Sequence, residues 1–348
     1  MSGTAGLGGD AASARPGRCL ITGASGFIGG RLAARLALDG WQVRCLVRPT
    51  SDTSRLDGLG VEIVAGDLRA PESLVRAVDG CALVFHCGAL VSDWATVDEI
   101  AAVNVRGTQN MLTAAVAASV ERFVHFSTTD VYSHRGGEMI DESYTACRFS
   151  NWYAQTKLTA ERTIWRAHED RRLSAVILRP ATVYGPRSRE VVGEIARALR
   201  NHSMVLIDGG RALAGLVYVE NVVDAAVLAA AQDAAVGQAF NVTDGLGVTW
   251  RQFTNDLAHG LDYPIARWSV PFGVANSLAV ALEHGYRMLR RTIGVTTRPL
   301  LSRQAVHVLG NDQHFSNDKI RKALGWAPRT GYADGLAATL AWLRSEGY

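Results

Sequence analysis

Lysine is nearly absent from this chain: of 36 basic residues, only Lys157, Lys319 and Lys322 are lysines. With a net charge of +3 and no run of basic residues, the sequence carries no electrostatic footprint for nucleic acid. The five cysteines are odd in number, scattered, and form no C-x-x-C pair, which excludes a disulfide framework. Cys19, Cys45, Cys81 and Cys87 fall in or beside apolar runs and are expected to be reduced core residues of a cytoplasmic protein. No His, Cys and Asp spacing makes a metal site. Long hydrophobic runs are missing too. The stretch 272–282 stops at Glu283-His284 and is too short to span a bilayer, so a buried or interfacial helix is expected there. Residues 1–17, rich in Gly, Ala and Ser, lack the basic start and apolar run of a signal peptide and are expected to be a disordered tail. What remains, 348 residues at 48% hydrophobic and 20% charged, is enough for a large globular core, as one α/β domain or two closely joined lobes.

A short apolar strand at 18–22 runs into Gly23-Ala24-Ser25-Gly26-Phe27-Ile28-Gly29-Gly30, followed by a helical pattern over 31–38. Strand, glycine turn and helix is the arrangement that carries a dinucleotide pyrophosphate. The glycines let the backbone approach the phosphates, and free N–H groups at the helix start attract their charge. The spacing is G-x-x-G-x-x-G, so Gly23, Ser25, Gly26, Phe27, Ile28 and Gly29 are expected at the cofactor. A second strand, 41–47, ends at Arg48, nineteen residues beyond Gly29. An acidic side chain there accepts the ribose 2′-hydroxyl of NAD, whereas a guanidinium pairs with a 2′-phosphate. Arg48, with Ser51 or Arg55, therefore argues for NADP(H), with NAD(H) as the alternative.

Strands at 61–65 and 82–86 lead to Asp67-Leu68 and Gly88-Ala89, and a long helix near 98–118 carries Asn104. A fifth strand, 122–126, ends in Ser127-Thr128. This β-α alternation predicts an α/β fold, a Rossmann-type doubly wound parallel sheet with ligands at the carboxyl ends of its strands. Then comes Asn151-Trp152-Tyr153-Ala154-Gln155-Thr156-Lys157. In a helix, positions four apart share a face, so Lys157 is expected beside Tyr153. An adjacent ammonium lowers a phenol's pKa from about 10 and lets it pass a proton near neutral pH. The same spacing occurs on ordinary exposed helices, and it is the glycine turn and strand-end hydroxyl before it that give it weight.

Taken together, these motifs resemble the extended branch of the short-chain dehydrogenase/reductase superfamily, from residue 18 to about 343. The resemblance implies that the active-site hydroxyl is Thr128, four residues before the Tyr of Val131-Tyr132 and twenty-five before Tyr153. Arg179-Pro180-Ala181-Thr182-Val183-Tyr184-Gly185-Pro186 is similar to the turn that receives nicotinamide, which implicates Pro180 and Val183. Nucleotide-sugar members carry an arginine in an R-D-[YF]-x-x-V segment. Here the run is Leu213-Ala214-Gly215-Leu216-Val217-Tyr218-Val219, with Arg211 out of register. Val91-Ser92-Asp93-Trp94, the run from Tyr218 to Val222, and Phe315 to Lys319 followed by Leu324-Gly325-Trp326-Ala327-Pro328 instead resemble the 3β-hydroxysteroid dehydrogenase and dihydroflavonol reductase group.

This resemblance implies NADP(H)-dependent hydride transfer to or from a keto or hydroxyl group of an apolar substrate of steroid, polyketide or β-keto lipid type. Tyr153 would move the proton; Thr128, with Ser127 in reserve, would hold the oxygen; Lys157 would tune the tyrosine and bind the nicotinamide ribose, with Asn104 supporting it through a water. Asp93, Trp94, Tyr144, Trp152, Tyr184 and Arg187 are the substrate-pocket expectations. His86 is expected to pack in the sheet and His134 to sit in a Gly-rich loop. The cofactor domain is expected over 18–186, rejoined by about 216–243, with 187–215 and 244–348 forming a smaller, mostly helical substrate lobe. A homodimer through helices near 100–118 and 151–168 is also implied. The competing readings are a nucleotide-sugar epimerase or dehydratase with tightly bound NAD, and a non-catalytic NADP-binding regulator.

Overall fold

Five strands of the chain are apolar on both faces. Cys19 and Ile21 alternate with Leu20, Cys45 and Val47 with Leu46, Leu83 and Phe85 with Val84, Val124 and Phe126 with Phe123, and Val176 and Leu178 with Ile177. Because successive side chains leave a strand on opposite sides, each set feeds its own core and the sheet must be covered twice. A computed structural model, which describes residues 17–92, 94–133, 136–145, 151–170, 172–293 and 302–348, has this arrangement. Its main sheet contains β1 (Arg18–Thr22), β2 (Gln42–Val47), β3 (Glu62–Ala65), β4 (Leu83–His86), β5 (Arg122–Phe126), β6 (Ala175–Pro180) and β7 (Ala239–Val242). They lie in the order β7-β6-β5-β4-β1-β2-β3, every neighbouring pair parallel.

One face is covered by α1 (Phe27–Leu38) and the helix Val219–Ala231, the other by α2 (Pro71–Val78), α4 (Thr108–Ala117) and α5 (Trp152–Glu169). The short α3 (Val97–Ala101) starts at a capping box between Thr96 and Glu99 and continues into α4 through a π-helical turn, Ala102–Gly107. A second π turn, Arg189–Gly193, leads into the helix Glu194–Arg200. Arg44 is a buried charge on β2. Its Nη1 donates to Ala77 O at 3.0 Å and Asp79 O at 2.8 Å, satisfying carbonyls that the end of α2 leaves open, while its Nε pairs with Glu62 at 2.9 Å.

A separate core, including Tyr184, Leu199, Trp250, Phe253, Leu257 and Leu343, joins the remaining elements. It is tied to the sheet through Asn221, whose Oδ1 accepts from Arg329 N and Thr330 N, both at 3.0 Å, and whose Nδ2 donates to Asp244 Oδ1 at 2.9 Å and Thr330 O at 3.0 Å. Trp326, from the Leu-Gly-Trp motif, donates from its indole to Asn221 O at 3.1 Å. Among the described residues no helix is long and apolar enough to cross a membrane.

Three boundaries differ from the sequence expectation. Helix α1 begins at Phe27, not 31, because Gly26 is its N-cap and the glycine turn doubles as its first turn. The run 216–222, which reads in the sequence as a strand and turn before a helix over 223–231, is a strand only over Leu216–Tyr218; the β-branched Val219 and Val222 already lie in the helix, both buried, where packing overrides their strand preference. In the stretch expected to be helical, Trp268–Val270 pairs in parallel with Val205–Ile207.

Candidate active site

Strand order reverses at β1, with β2 on one side and β4 on the other, so a crevice opens at the carboxyl ends of β1 and β4. Two glycines make the close approach there. Gly23 sits at φ +70°, and a Cβ on it would lie 2.8 Å from Gly88 N, while a Cβ on Gly29 would collide with Gly23 O. Gly26 caps α1 without any side-chain hydrogen bond, and the first turn carries no acidic residue, which leaves that turn's N–H groups available to an anion.

A cavity of about 1220 Å³ runs from this turn. Its wall includes Gly23, Ser25, Gly26, Phe27, Ile28 and Gly29, then Arg48, Ser51, Arg55, Asp67 and Leu68 on the β2 and β3 side, and Gly88 and Ala89 after β4. On the β5 side it includes Ser127, Tyr153 and Val183, with Trp94 and Arg187 farther round. Asp67 is engaged by Arg69 at 2.7 Å, which holds its carboxyl below the usual range. Arg55 is pulled down by burial and by the nearby guanidiniums of Arg189 and Arg187, a crowding of cations on one wall. Arg187 is held at φ +79°, a left-handed conformation that costs a non-glycine residue energy.

Several expected residues lie elsewhere. Tyr184 is fully buried against Tyr218, Phe253 and Tyr332, as part of the second core and not of the cavity wall. Tyr144 packs edge-on against Tyr132 at 6.1 Å, Trp152 is 42% exposed in the first turn of α5, and Pro180 is buried in β6 beside Val242. None of these four lines the cavity. Asp93 and His134 fall outside the described residues, as do residues 1–16 of the expected tail. Thr128 also stands off the wall: its Oγ1 accepts from Asp130 N at 3.2 Å as the cap of a short 3₁₀ turn, Thr129–Tyr132. The preceding Ser127 lines the cavity, and its buried Oγ has no hydrogen-bond partner among the described residues.

Lys157 is buried at 2% exposure and lies behind the cavity wall. Its Nζ donates to Phe126 O at 2.5 Å and reaches His125 Nε2 at 3.1 Å, both on β5. Burial pulls its pKa down to about 8, against the upward pull of Glu161 and Cys87. Burial pushes the part-buried Tyr153 phenol up, and Asp130 and Glu190 push it further. The ammonium is thus held by β5, the lysine stem running inward to the carbonyl end of that strand. Asn104 has direct partners of its own. Its Oδ1 accepts from Leu90 N at 2.7 Å, and its Nδ2 donates to Leu90 O at 3.1 Å and Thr156 Oγ1 at 3.3 Å, fastening the loop after β4 to α5.

His86 is fully buried on β4 between Thr22 Oγ1, 2.8 Å from Nδ1, and Thr108 Oγ1, 3.0 Å from Nε2. Thr108 gives its hydrogen to Asn104 O at 2.8 Å, so the imidazole donates from Nε2 and accepts at Nδ1 from Thr22, which in turn accepts from Gly88 N at 3.0 Å. One directed chain of hydrogen bonds thus links the end of β1, β4 and the π turn.

Other cavity residues had no signal in the sequence. Arg189, Glu190 and Val191 come from the second π turn, and Tyr286 and Arg290 from the helix Phe272–Ile293. Tyr286 meets Trp94 edge-on at 5.1 Å, and Arg290 donates to Trp94 O at 2.8 Å and pairs with Glu99 at 3.1 Å. Among the described residues no cluster of His, Cys, Asp and Glu could hold a metal ion.

Residues 19–243 match the NAD dependent epimerase/dehydratase family. The chain is 32% identical over 324 residues to the 4-hydroxy-2-methyl-3-oxo-4-farnesyl-3,4-dihydroquinoline-1-oxide ketoreductase of Stigmatella aurantiaca, covering 92% of this chain and 95% of that one. It is 32% identical over 332 residues to the 3 beta-hydroxysteroid dehydrogenase/Delta 5→4-isomerase of Mycobacterium tuberculosis, covering 90% and 86%. Among solved structures it is similar to the dTDP-glucose 4,6-dehydratase DesIV of Streptomyces venezuelae, with a TM-score of 0.76, 25% identity, and coverage of 94% and 97%.

Proposed function

From the premise that the chain belongs to the NAD dependent epimerase/dehydratase family, we propose that it is an NADP(H)-dependent oxidoreductase that interconverts a ketone and an alcohol on an apolar substrate. The observation that carries this reading is the shared cavity, which Ser127 and Tyr153 line together with a glycine turn shaped for a dinucleotide. The glycine cradle at Gly23, Gly29 and Gly88 would hold a pyrophosphate: a Cβ at Gly23 would press on Gly88 N and one at Gly29 on Gly23 O, and either would force the tight turn open. Arg48, Ser51 and Arg55 would hold a 2′-phosphate, and the end of β2 offers no carboxylate to a free ribose hydroxyl. The nicotinamide cofactor supplies or accepts the hydride when bound.

The chain's own residues do the rest. Tyr153 gives the carbonyl oxygen its proton in reduction and recovers it in oxidation. Ser127, whose Oγ has no partner among the described residues, donates the hydrogen bond that holds this oxygen; Thr128, which stands off the cavity wall and accepts from Asp130 N, steadies the turn. Lys157 contributes positive charge behind them. The apolar wall formed by Leu90, Val91, Trp94, Val191 and Tyr286 favours a greasy substrate, in keeping with the farnesylated quinoline and steroid named for the two relatives.

The test uses purified protein with NADPH or NADH and either a medium-chain 2-alkyl-3-oxo ester or a 3-ketosteroid, followed by loss of reduced-nicotinamide absorbance. NADPH is expected to be preferred at least tenfold, Arg48→Asp to reverse the preference, and Tyr153→Phe to abolish turnover. Ser127→Ala is expected to lower kcat more than Thr128→Ala. Conversion of a UDP- or dTDP-hexose without added cofactor, with NAD co-purifying, would overturn the reading.

A further inference from the structure

His125 is a polar residue in a place that asks for an apolar one. It is fully buried on β5, flanked by Val124 and Phe126, and its Nδ1 has no hydrogen-bond partner among the described residues. A buried donor without a partner costs free energy that a valine or phenylalanine would avoid, so the imidazole must be kept for what its other nitrogen does. That nitrogen, Nε2, lies 3.1 Å from Lys157 Nζ. The lysine is a donor of three hydrogens and already gives one to Phe126 O. Nε2 therefore accepts, and the ring hydrogen sits on the unpartnered Nδ1. The ring is held in place by His86, stacked over it at 5.3 Å and itself anchored to Thr22 and Thr108.

We propose that His125 is a positioning residue for Lys157: its neutral imidazole takes one ammonium hydrogen, ties the lysine to β5 together with Phe126 O, and leaves a single N–H for the cavity side. This rests on the reading above, in which Lys157 serves Tyr153. The groups that face Lys157 are Glu161 on its own helix, itself paired with Arg179; Cys87 and His86 from β4 and the residue after it; and His125 from β5. Glu161 and Cys87 favour the ammonium, and burial opposes it. His125 stays neutral because burial, Lys157 and His86 all act against its protonation. An uncharged acceptor supports the ammonium here without adding a second buried charge.

The scarcity of lysine makes the test direct. In protein labelled with ¹³C-lysine only three Cε resonances exist, and Lys157 is assigned by its loss in Lys157→Arg. In the wild type its titration midpoint is expected near 8. His125→Asn places its amide at the position of Nδ1 and withdraws the acceptor, and His125→Phe removes it. In both, the midpoint is expected to fall by about one unit, a tenfold shift in the ionisation equilibrium. His125→Gln restores an oxygen at the position of Nε2, and the midpoint is expected to return to the wild-type value. The pH profile of kcat for NADPH-dependent ketone reduction is expected to move its alkaline limb in the same order. If the phenylalanine variant does not fold, the near-isosteric Asn and Gln variants carry the comparison, and equal Lys157 midpoints in those two would overturn the proposal. Midpoints that move while the kcat profile stays fixed would leave His125 as the holder of Lys157 and refute the catalytic reading of that lysine.

Discussion

Replacing Glu161 by Gln would strand a charge in the interior. Glu161 is 1% and Arg179 9% exposed, and the two meet through a fork: Arg179 Nε donates to Oε1 at 3.0 Å and Nη2 to Oε2 at 2.6 Å. The remaining arm of the guanidinium donates from Nη1 to Tyr132 Oη at 2.9 Å, which donates to Asn241 Oδ1 at 2.6 Å. Glutamine keeps the volume and one acceptor, loses the charge, and turns an NH₂ toward a guanidinium that cannot accept. Removing one partner from a buried pair costs about 3–5 kcal/mol, against about 0.2–1 kcal/mol for an exposed one. Urea unfolding at neutral pH should show a loss in the higher range with little change in the slope m. Arg179→Met alone should lose a similar amount, and the double variant clearly less than the sum, because it buries no unpaired charge. Glu161→Gln also removes a negative charge that favours ammonium at Lys157, so that lysine's midpoint should fall below about 8. A loss under about 1 kcal/mol, or strict additivity in the double variant, would refute the argument.

Gly29→Ala puts a methyl group against Gly23 O, and is expected to destabilise the fold by about 1–3 kcal/mol and to abolish NADPH binding measured by fluorescence. Gly30→Ala, 3.1 Å from Ala24 O, should be milder on both counts. On the acid side, His86 is held down to about 3 by burial and by Lys157, and His125 also lies well below its usual value. An unfolded chain takes up these protons near pH 6.5 while the folded one does not, so stability is full above 6.5 and falls as pH drops toward 3. Urea midpoints between pH 7 and pH 4 should show this, with a shallower fall by about one proton in His125→Gln. Asn221→Ala strips four hydrogen bonds from the join between the sheet and the C-terminal segment, and should cost about 2–4 kcal/mol by thermal or urea unfolding.

The sheet was legible in the sequence because its strands are short, apolar on both faces and punctuated by glycine. The glycine turn lies where its spacing predicts because steric demands at Gly23 and Gly29 are local. What was not legible depended on direction and distance. Ser127 and Thr128 are adjacent, and only the backbone of the turn after β5 decides which of the two lines the cavity. The four-residue spacing of Tyr153 and Lys157 fixes their common face of α5, but where a long lysine stem ends depends on β5, whose His125 and Phe126 O capture it. Tyr184 belongs to a motif yet packs in a core assembled from segments far along the chain. Tyr286 and Arg290 reach the cavity from a helix more than a hundred residues beyond α5, a proximity that no local pattern encodes.

The two π turns give the chain's length a meaning that its composition does not. A π turn is an α-helix that holds one residue more than its pitch accommodates, and Ala102–Gly107 and Arg189–Gly193 each spend that extra residue on the cavity wall. Each residue advances an α-helix by about 100°. Deleting one anywhere within 102–107 would let the helix relax to a regular pitch and swing everything after it by that angle relative to α3. Thr108 would turn from His86 and Met111 from the sheet, although every residue type needed for both contacts would still be present. At these two places the count of residues is as much a part of the cavity's design as their identity, and a single in-frame codon loss would do more harm there than most substitutions.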